Sequence, residues 1–404
     1  MNLPKINPKH RNILIISPII TILAVSIFGI IVFGSFSNLW DFRVYYHGIQ
    51  NIISGQLPWA SGVEFYYPPL AFVPVIIAYA ISRIGGGFFV FMLAMWALML
   101  ICAIVTTLCV YYIGLILYPK KIAFTAALLN ATAISVAYYV LWRFDPFPTC
   151  LAMVAVLATL YGDKFKGYLA SVLGLFTKLW PIVLFPFLWI YNARQTSIIE
   201  EGKKRAFAFV LSGGLIFGLM LWSGYNRVFG YANMLGFTDR VYCNTIPYTV
   251  NQYLQMLNIP IPFGSIAILF RILTVVVFLW SFYLMYQQPK NIARMLKVIL
   301  VVIVVFIIFS QYHSPQYIVW FTPFAALLVA DDLWGILLFI GVQILGYIEY
   351  PLAYGVLYEN DKYVSDWALV FFTVFFIMLG LLLWRASKME MADIQRDDEA
   401  ITGC

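Results

Sequence analysis

Charge is what this chain has least of. Only 11% of its 404 residues are Asp, Glu, Lys or Arg, against about 25% in an average soluble domain, which excludes a conventional water-soluble globule. Histidine is rarer still, with three in the chain. The five cysteines, Cys102, Cys109, Cys150, Cys243 and Cys404, form no CxxC or Cys/His ligand spacing. Neither a disulfide framework nor a metal site is expected, and no cofactor. The chain has no glycine-rich nucleotide signature, internal repeat or low-complexity tract, and Gly85-Gly86-Gly87 reads as a turn. The period-2 alternation of a membrane barrel is also missing. The net charge of +7 does not point to nucleic acid, because the basic residues are scattered through short loops. They read as topology determinants.

Apolar sequence is what the chain has in excess. Hydrophobic residues make up 63% of it, and runs near the ~20 residues needed to span a bilayer recur from end to end. They fall at 70–83, 87–117, 122–141, 147–162, 167–191, 206–223, 263–286, 296–311, 316–330, 333–350 and 367–385, after a first run from Ile13 to Gly34. That first run has a basic start and no small-residue cleavage site, so it reads as a retained anchor. The expected fold class is an all-α polytopic membrane protein of about 10–12 transmembrane or half-membrane helices. It forms one integral-membrane domain over 1–386, followed by a charged tail, 387–404.

Lys5, Lys9 and Arg11 precede the first run and place the N-terminus in the cytoplasm. The same rule puts the C-terminal tail there. On this arrangement 17 Lys/Arg lie in cytoplasmic loops and ends, against five outside. Two long polar intervals, 38–67 and 224–263, then face the extracytoplasmic side. In the first, Tyr45, Ile49 and Ile52 share one helical face while Gln50, Asn51 and Ser54 lie away from it, which suits a short interfacial helix ended by Gly55. The second contains Asp239-Arg240 and Asn251-Gln252 and has room for a surface helix and a lid. Strict alternation fails at 167–191, where basic loops flank both ends and Pro181 and Pro186 follow Lys178 closely. Two half-helices with Lys178 near the turn resolve the conflict, since broken helices are tolerated where they line a protein-enclosed cavity.

The candidate residues follow from this layout. Asp41 places a carboxylate just past the first apolar helix, beside Arg43 and ahead of the amphipathic segment. A carboxylate at a helix end is often a solvated surface group, but this context favours proton-transfer chemistry. Lys178 sits inside an apolar run, where an ammonium costs about 2.5–3.5 kcal/mol to insert and suggests function. It is a candidate counter-ion for a phosphate. Arg143 and Asp145 either neutralise each other at a hairpin tip or, for Arg143, face the same phosphate. His313 and Gln311 lie on a short outer tip, Gln311 to Tyr317, as phosphate and substrate contacts respectively; Arg43 and Asp145 are further candidate substrate contacts, and Glu64 and Tyr67 weaker ones. Arg271 lies in an apolar span and suits either a lipid phosphate or a buried acid.

Taken together, the motifs Asp41-x-x-Val44-Tyr45-Tyr46, Gly55-Gln56-Leu57-Pro58-Trp59, Tyr66-Tyr67-Pro68-Pro69-Leu70, Gly174-Leu175-Phe176-Thr177-Lys178-Leu179-Trp180-Pro181 and Gln311-Tyr312-His313-Ser314-Pro315 resemble the GT-C superfamily of glycosyltransferases. The particular resemblance is to family 87 (DUF2029), the polyprenyl-phosphate-mannose-dependent α-mannosyltransferases. It spans most of the chain, although each motif is short. It implies a GT-C-type fold and a catalytic base at Asp41. Lys178 matches the family's lysine before a proline in a broken helix, and His313 its late-loop histidine. The family often reads Gly-Gln-x-Asn where this chain has Arg143-Phe144-Asp145-Pro146-Phe147-Pro148, which leaves donor and acceptor identity open.

The chemistry fits the residues themselves. A sugar on a lipid phosphate already carries a good leaving group, so a base for the acceptor hydroxyl and cations for the departing phosphate are what the site must supply. Asp41 is the candidate base, and Lys178 and Arg143 the candidate cations, for an inverting hexosyl transfer, of mannose by the resemblance. The expected partners are a polyprenyl-phosphate sugar, a glycolipid or glycan acceptor and membrane lipids, with the active site on the extracytoplasmic face of the cell membrane. The main rival is a polytopic transporter or lipid flippase, which often shows two related halves; none is visible in this sequence. A GT-C enzyme for another sugar and an inactive scaffold are further alternatives.

Overall fold

A computed structural model describes residues 3–33, 39–56, 67–193, 198–222, 242–311, 313–359 and 362–388. Almost all of it is helix, as expected of apolar chain in a bilayer, where each backbone polar group must be satisfied within its own segment. The helices, in chain order, are α1 Pro8–Phe33, α2 Trp40–Ile53, α3 Phe72–Ser82, α4 Gly87–Leu117, α5 Lys120–Ala131, α6 Ile134–Trp142, α7 Pro146–Leu160, α8 Lys164–Leu175, α9 Leu184–Ala193 and α10 Ile198–Trp222. They continue with α11 Ile246–Met256, α12 Phe263–Gln287, α13 Ile292–Phe309, α14 Ile318–Val329, α15 Leu333–Tyr347, α16 Tyr354–Leu357 and α17 Asp366–Lys388. Among the described residues six helices are long and apolar enough to cross a membrane, and α5 with α6, bent by 50°, makes a seventh span if taken as one. The protein is thus an all-α, multi-pass membrane protein in its architecture. Among the described residues the strand content is one short hairpin, Tyr358–Glu359 against Lys362–Tyr363.

The bundle is built around α14, in which every residue is buried. A helix apolar on all sides belongs in the interior, and α14 packs against α4, α5, α6, α13, α15 and α17. Its opposite is α12, which buries only Ile266, Ala267, Ser281 and Met285 and presents the rest of its apolar surface outward.

Among the described residues two of the expected apolar segments, 167–191 and 122–141, are each split into two helices, and the first split is as expected. After α8 the chain leaves the helix through Thr177 and Lys178, makes a 3-10 turn over Trp180–Val183 and resumes as α9. Gly174 permits this, because a Cβ there would lie 3.1 Å from Pro181 Cβ, so the half-helix can close onto the turn. The second break corrects the expectation of a single segment over 122–141. It falls at Thr132 and Ala133, beside Asn130, whose Nδ2 donates to Thr107 Oγ1 at 3.0 Å. The short helix expected after the first apolar run is present as α2, but it starts at Trp40, so Asp41 stands in its first turn rather than ahead of it. Gly55 ends the segment at φ +94°, a conformation glycine adopts without steric cost. In the second long polar interval the expected helix is α11, while Asp239-Arg240 lie outside the described residues, as does the tail from 389 onward.

At the α8–α9–α10 junction a polar network takes the place of apolar packing. Glu201, with no exposed surface, accepts from Lys164 Nζ at 3.1 Å and from Tyr168 Oη at 2.6 Å, and Asn192 Nδ2 donates to Tyr168 Oη at 2.8 Å. The Arg205 guanidinium lies over the rings of Tyr168, Phe185 and Trp189 at 4.4 to 4.9 Å. Removing one member of a buried ionic network leaves the rest uncompensated, at about 3–5 kcal/mol. Glu201→Ala is therefore expected to lower the unfolding free energy by about 3 kcal/mol, read as a lowered melting temperature in detergent. Glu200→Ala, which removes the exposed partner of Lys204, is expected to leave it unchanged.

Candidate functional site

Two ion pairs lie side by side where α2, the α6–α7 connection and the α8–α9 break converge. Asp41, only 8% exposed, is paired to Arg143, which directly follows α6. Arg143 is held from two further directions: Nε donates to Gln316 Oε1 at 2.5 Å and Nη1 to the Trp142 carbonyl at 3.0 Å. Its guanidinium carbon also stands 5.9 Å from the centre of the Tyr350 ring. Asp145, fully buried at the start of α7, takes the second cation. Its Oδ1 accepts from Lys178 Nζ at 2.7 Å and from Trp320 Nε1 at 2.6 Å. Tyr67, Phe144, Tyr317 and Trp320 surround the ammonium with ring centres 5.1 to 5.7 Å away, and such faces favour a cation.

The pairing settles the question of Arg143 and Asp145. They do not neutralise each other. The backbone is extended at Arg143 (φ −139°, ψ 160°) and helical by Asp145 (φ −54°, ψ −29°), and the two side chains leave for partners on different elements. Lys178, expected to serve as the counter-ion of a phosphate, already has a carboxylate counter-ion in Asp145.

Beside the first pair opens a cleft of about 460 Å³, within the usual range for small-molecule sites. Asp41, Arg143, Tyr67 and His313 line it, with Trp40, Tyr139, Asn244 and Gln316 among the others. Asp145 and Lys178 stand behind this wall. Gln311 also lies off it, with its Oε1 accepting from Arg271 Nη2 at 2.5 Å. That contact gives Arg271 a neutral amide partner rather than a buried acid. Arg43 is exposed, because two residues on from Asp41 is some 200° around the helix. Glu64 lies outside the described residues. No cluster of three metal-ligating side chains occurs among the described residues.

The electrostatics of the cleft follow from burial. Desolvation raises the Asp41 carboxyl above its ordinary value of 3.8, against the pull of Arg143 and then Lys178. Burial also pushes His313 down to about 3, so the imidazole is neutral at physiological pH. It can donate or accept a hydrogen bond there but carries no charge to offer a phosphate.

The sequence reading overlooked one acid. Glu349, 1% exposed, follows α15 and accepts from Asn244 Nδ2 at 2.7 Å, while His313 Nε2 stands 4.0 Å from its Oε1. The signal was available. Glu349 is an ionisable residue within the apolar run 333–350, the feature that singled out Lys178. Asn244 carried no such mark.

Compared with known proteins, the chain matches no protein-family model and no curated sequence.

The buried pair behind the wall makes an asymmetric prediction. Lys178→Met strands the Asp145 charge and is expected to cost about 3–5 kcal/mol of stability, whereas Lys178→Met with Asp145→Leu removes both charges and is expected to recover most of that loss. Thermal unfolding of the single and double variants in one detergent measures the difference.

Proposed function

We propose that this protein is a membrane glycosyltransferase of GT-C type, transferring a hexose from a polyprenyl-phosphate donor to a hydroxyl of a lipid-linked or glycan acceptor. By the resemblance the sugar is mannose, and by the distribution of basic residues the reaction takes place on the extracytoplasmic face, with both termini in the cytoplasm. The observation that carries this reading is a desolvated carboxylate, Asp41, lining a cleft next to a guanidinium and surrounded by aromatic side chains.

In the proposed reaction the acceptor oxygen attacks the anomeric carbon from the face opposite the phosphate. The acceptor O–C1 bond forms, the C1–O phosphate bond breaks, and the hydroxyl proton passes to Asp41. The electron pair of the broken bond leaves with the polyprenyl phosphate, whose growing charge Arg143 stabilises. Asp41 and an incoming phosphate compete for the same guanidinium. As Arg143 turns to the phosphate, Asp41 loses the charge that holds its basicity down, so donor binding primes the base. His313, neutral, serves to orient a hydroxyl or a phosphate oxygen. Lys178, already paired with Asp145, supports the wall from behind and does not contact the phosphate.

Two broken helices in a multi-pass bundle also suit a transporter or flippase, and one assay separates the readings. Protein in nanodiscs is supplied with radiolabelled polyprenyl-phosphate mannose and a lipid extract, and label moving to a new lipid is scored. Loss of a general base is expected to cut turnover by about 10²–10⁴ in Asp41→Asn without loss of the fold, while the exposed Arg83→Gln keeps wild-type turnover. The wild-type rate falls as pH is lowered through a pKa above 3.8, because the base must be ionised. Movement of the lipid across vesicles without sugar transfer would favour the transporter instead.

A further inference from the structure

Beyond Arg143 the wall of the cleft carries, beside His313, two polar groups to which the reaction above gives no role. Asn244 is 1% exposed, Tyr139 1% and His313 5%. Among the described residues, Asn244 Oδ1, Tyr139 Oη and His313 Nδ1 have no hydrogen-bond partner. Each buried group left unmade costs about 1–3 kcal/mol, so three together on a cavity wall suggest a ligand that completes them. Glu349 stands behind and fixes the Asn244 amide by accepting from its Nδ2.

We propose that Asn244, Tyr139 and His313 form a subsite that reads the hydroxyls of the donor hexose, with Glu349 as the residue positioning Asn244. The inference rests on the reading of the cleft as a lipid-phosphate-sugar site. The chemistry of the three groups selects a neutral polyol. One is an amide oxygen that accepts, one a phenol and one a neutral imidazole that can donate or accept, and none brings positive charge for an anion. Sugar hydroxyls, which donate and accept at once, match this mixture. The placement selects the donor sugar. Tyr139 is one helical turn before Arg143, whose backbone N–H donates to the Tyr139 carbonyl at 2.9 Å. One turn is about 5.4 Å of helix, the reach of a single sugar ring from a phosphate held at Arg143. The Tyr350 ring, next in sequence to Glu349, lies against both Arg143 and Tyr139, nearly parallel to the Tyr139 ring at 6.3 Å.

The test compares two lipids on the full-length protein: short-chain polyprenyl phosphate and the same lipid carrying mannose, each titrated by tryptophan fluorescence. Wild type is expected to bind the sugar-bearing lipid about tenfold to a hundredfold more tightly, an increment of one or two well-made polar contacts. Tyr139→Phe, which removes only a hydroxyl, and Asn244→Ala are expected to shrink that ratio towards one while leaving the affinity for bare polyprenyl phosphate unchanged. Glu349→Leu is expected to do the same, and Glu349→Gln, whose amide oxygen can still accept from Asn244, to restore part of the ratio. Two results would overturn the subsite alone: equal affinity for both lipids in wild type, or a full ratio retained in both Tyr139→Phe and Asn244→Ala. Failure of wild type to bind either lipid would overturn the reading of the cleft and the subsite with it.

Discussion

Two opposite-charge pairs, Asp41 with Arg143 and Asp145 with Lys178, are the constraint on which the arrangement of this protein depends. Each of the four charges would be costly alone in so apolar a setting, and each is tolerable only beside its partner. The partners come from separate parts of the chain: α2, the α6–α7 connection, and the break between α8 and α9. Pairing them correctly therefore fixes a surface helix, a helix junction and a broken hairpin relative to one another. Gly174 and Pro181 make the break compact, and four aromatic rings surround the Lys178 ammonium.

The two pairs differ in what they can do. Asp145 has Lys178 and Trp320 on one oxygen and no exposed surface, which makes it a structural anchor. Asp41 faces the cleft through a partner, Arg143, that a phosphate could claim. Burial keeps its carboxyl more basic than a solvated one, and the guanidinium restrains that basicity until something else binds it. On the proposed function, a base held in this way is quiet in the empty site and active in the occupied one.

Much of this was legible in the sequence because membrane insertion penalises charge so heavily. Lys178 and its proline-broken segment, the apolar spans, the amphipathic stretch after Trp40 and the placing of Asp41 all follow from single-residue costs or short-range periodicity. What the sequence hid depends on long-range pairing. Nothing local distinguishes an Arg143 bound to its neighbour two residues on from one bound to Asp41, a hundred residues earlier in the chain. The bend at Thr132–Ala133 has neither proline nor glycine to mark it. Glu349 met the criterion applied to Lys178 but sits near the end of its run, where an interfacial carboxylate is unremarkable, and Asn244 becomes interesting only once Glu349 is seen beside it.

The proposed competition between Asp41 and a lipid phosphate for Arg143 can be measured without any turnover. Titrating wild type and Asp41→Asn with polyprenyl phosphate that carries no sugar isolates the phosphate contact. Neutralising Asp41 releases the guanidinium, so the variant is predicted to bind this lipid more tightly than wild type even as it loses transfer. Weaker or unchanged binding in a folded Asp41→Asn protein would contradict the account, because the carboxylate and the phosphate would then not share Arg143.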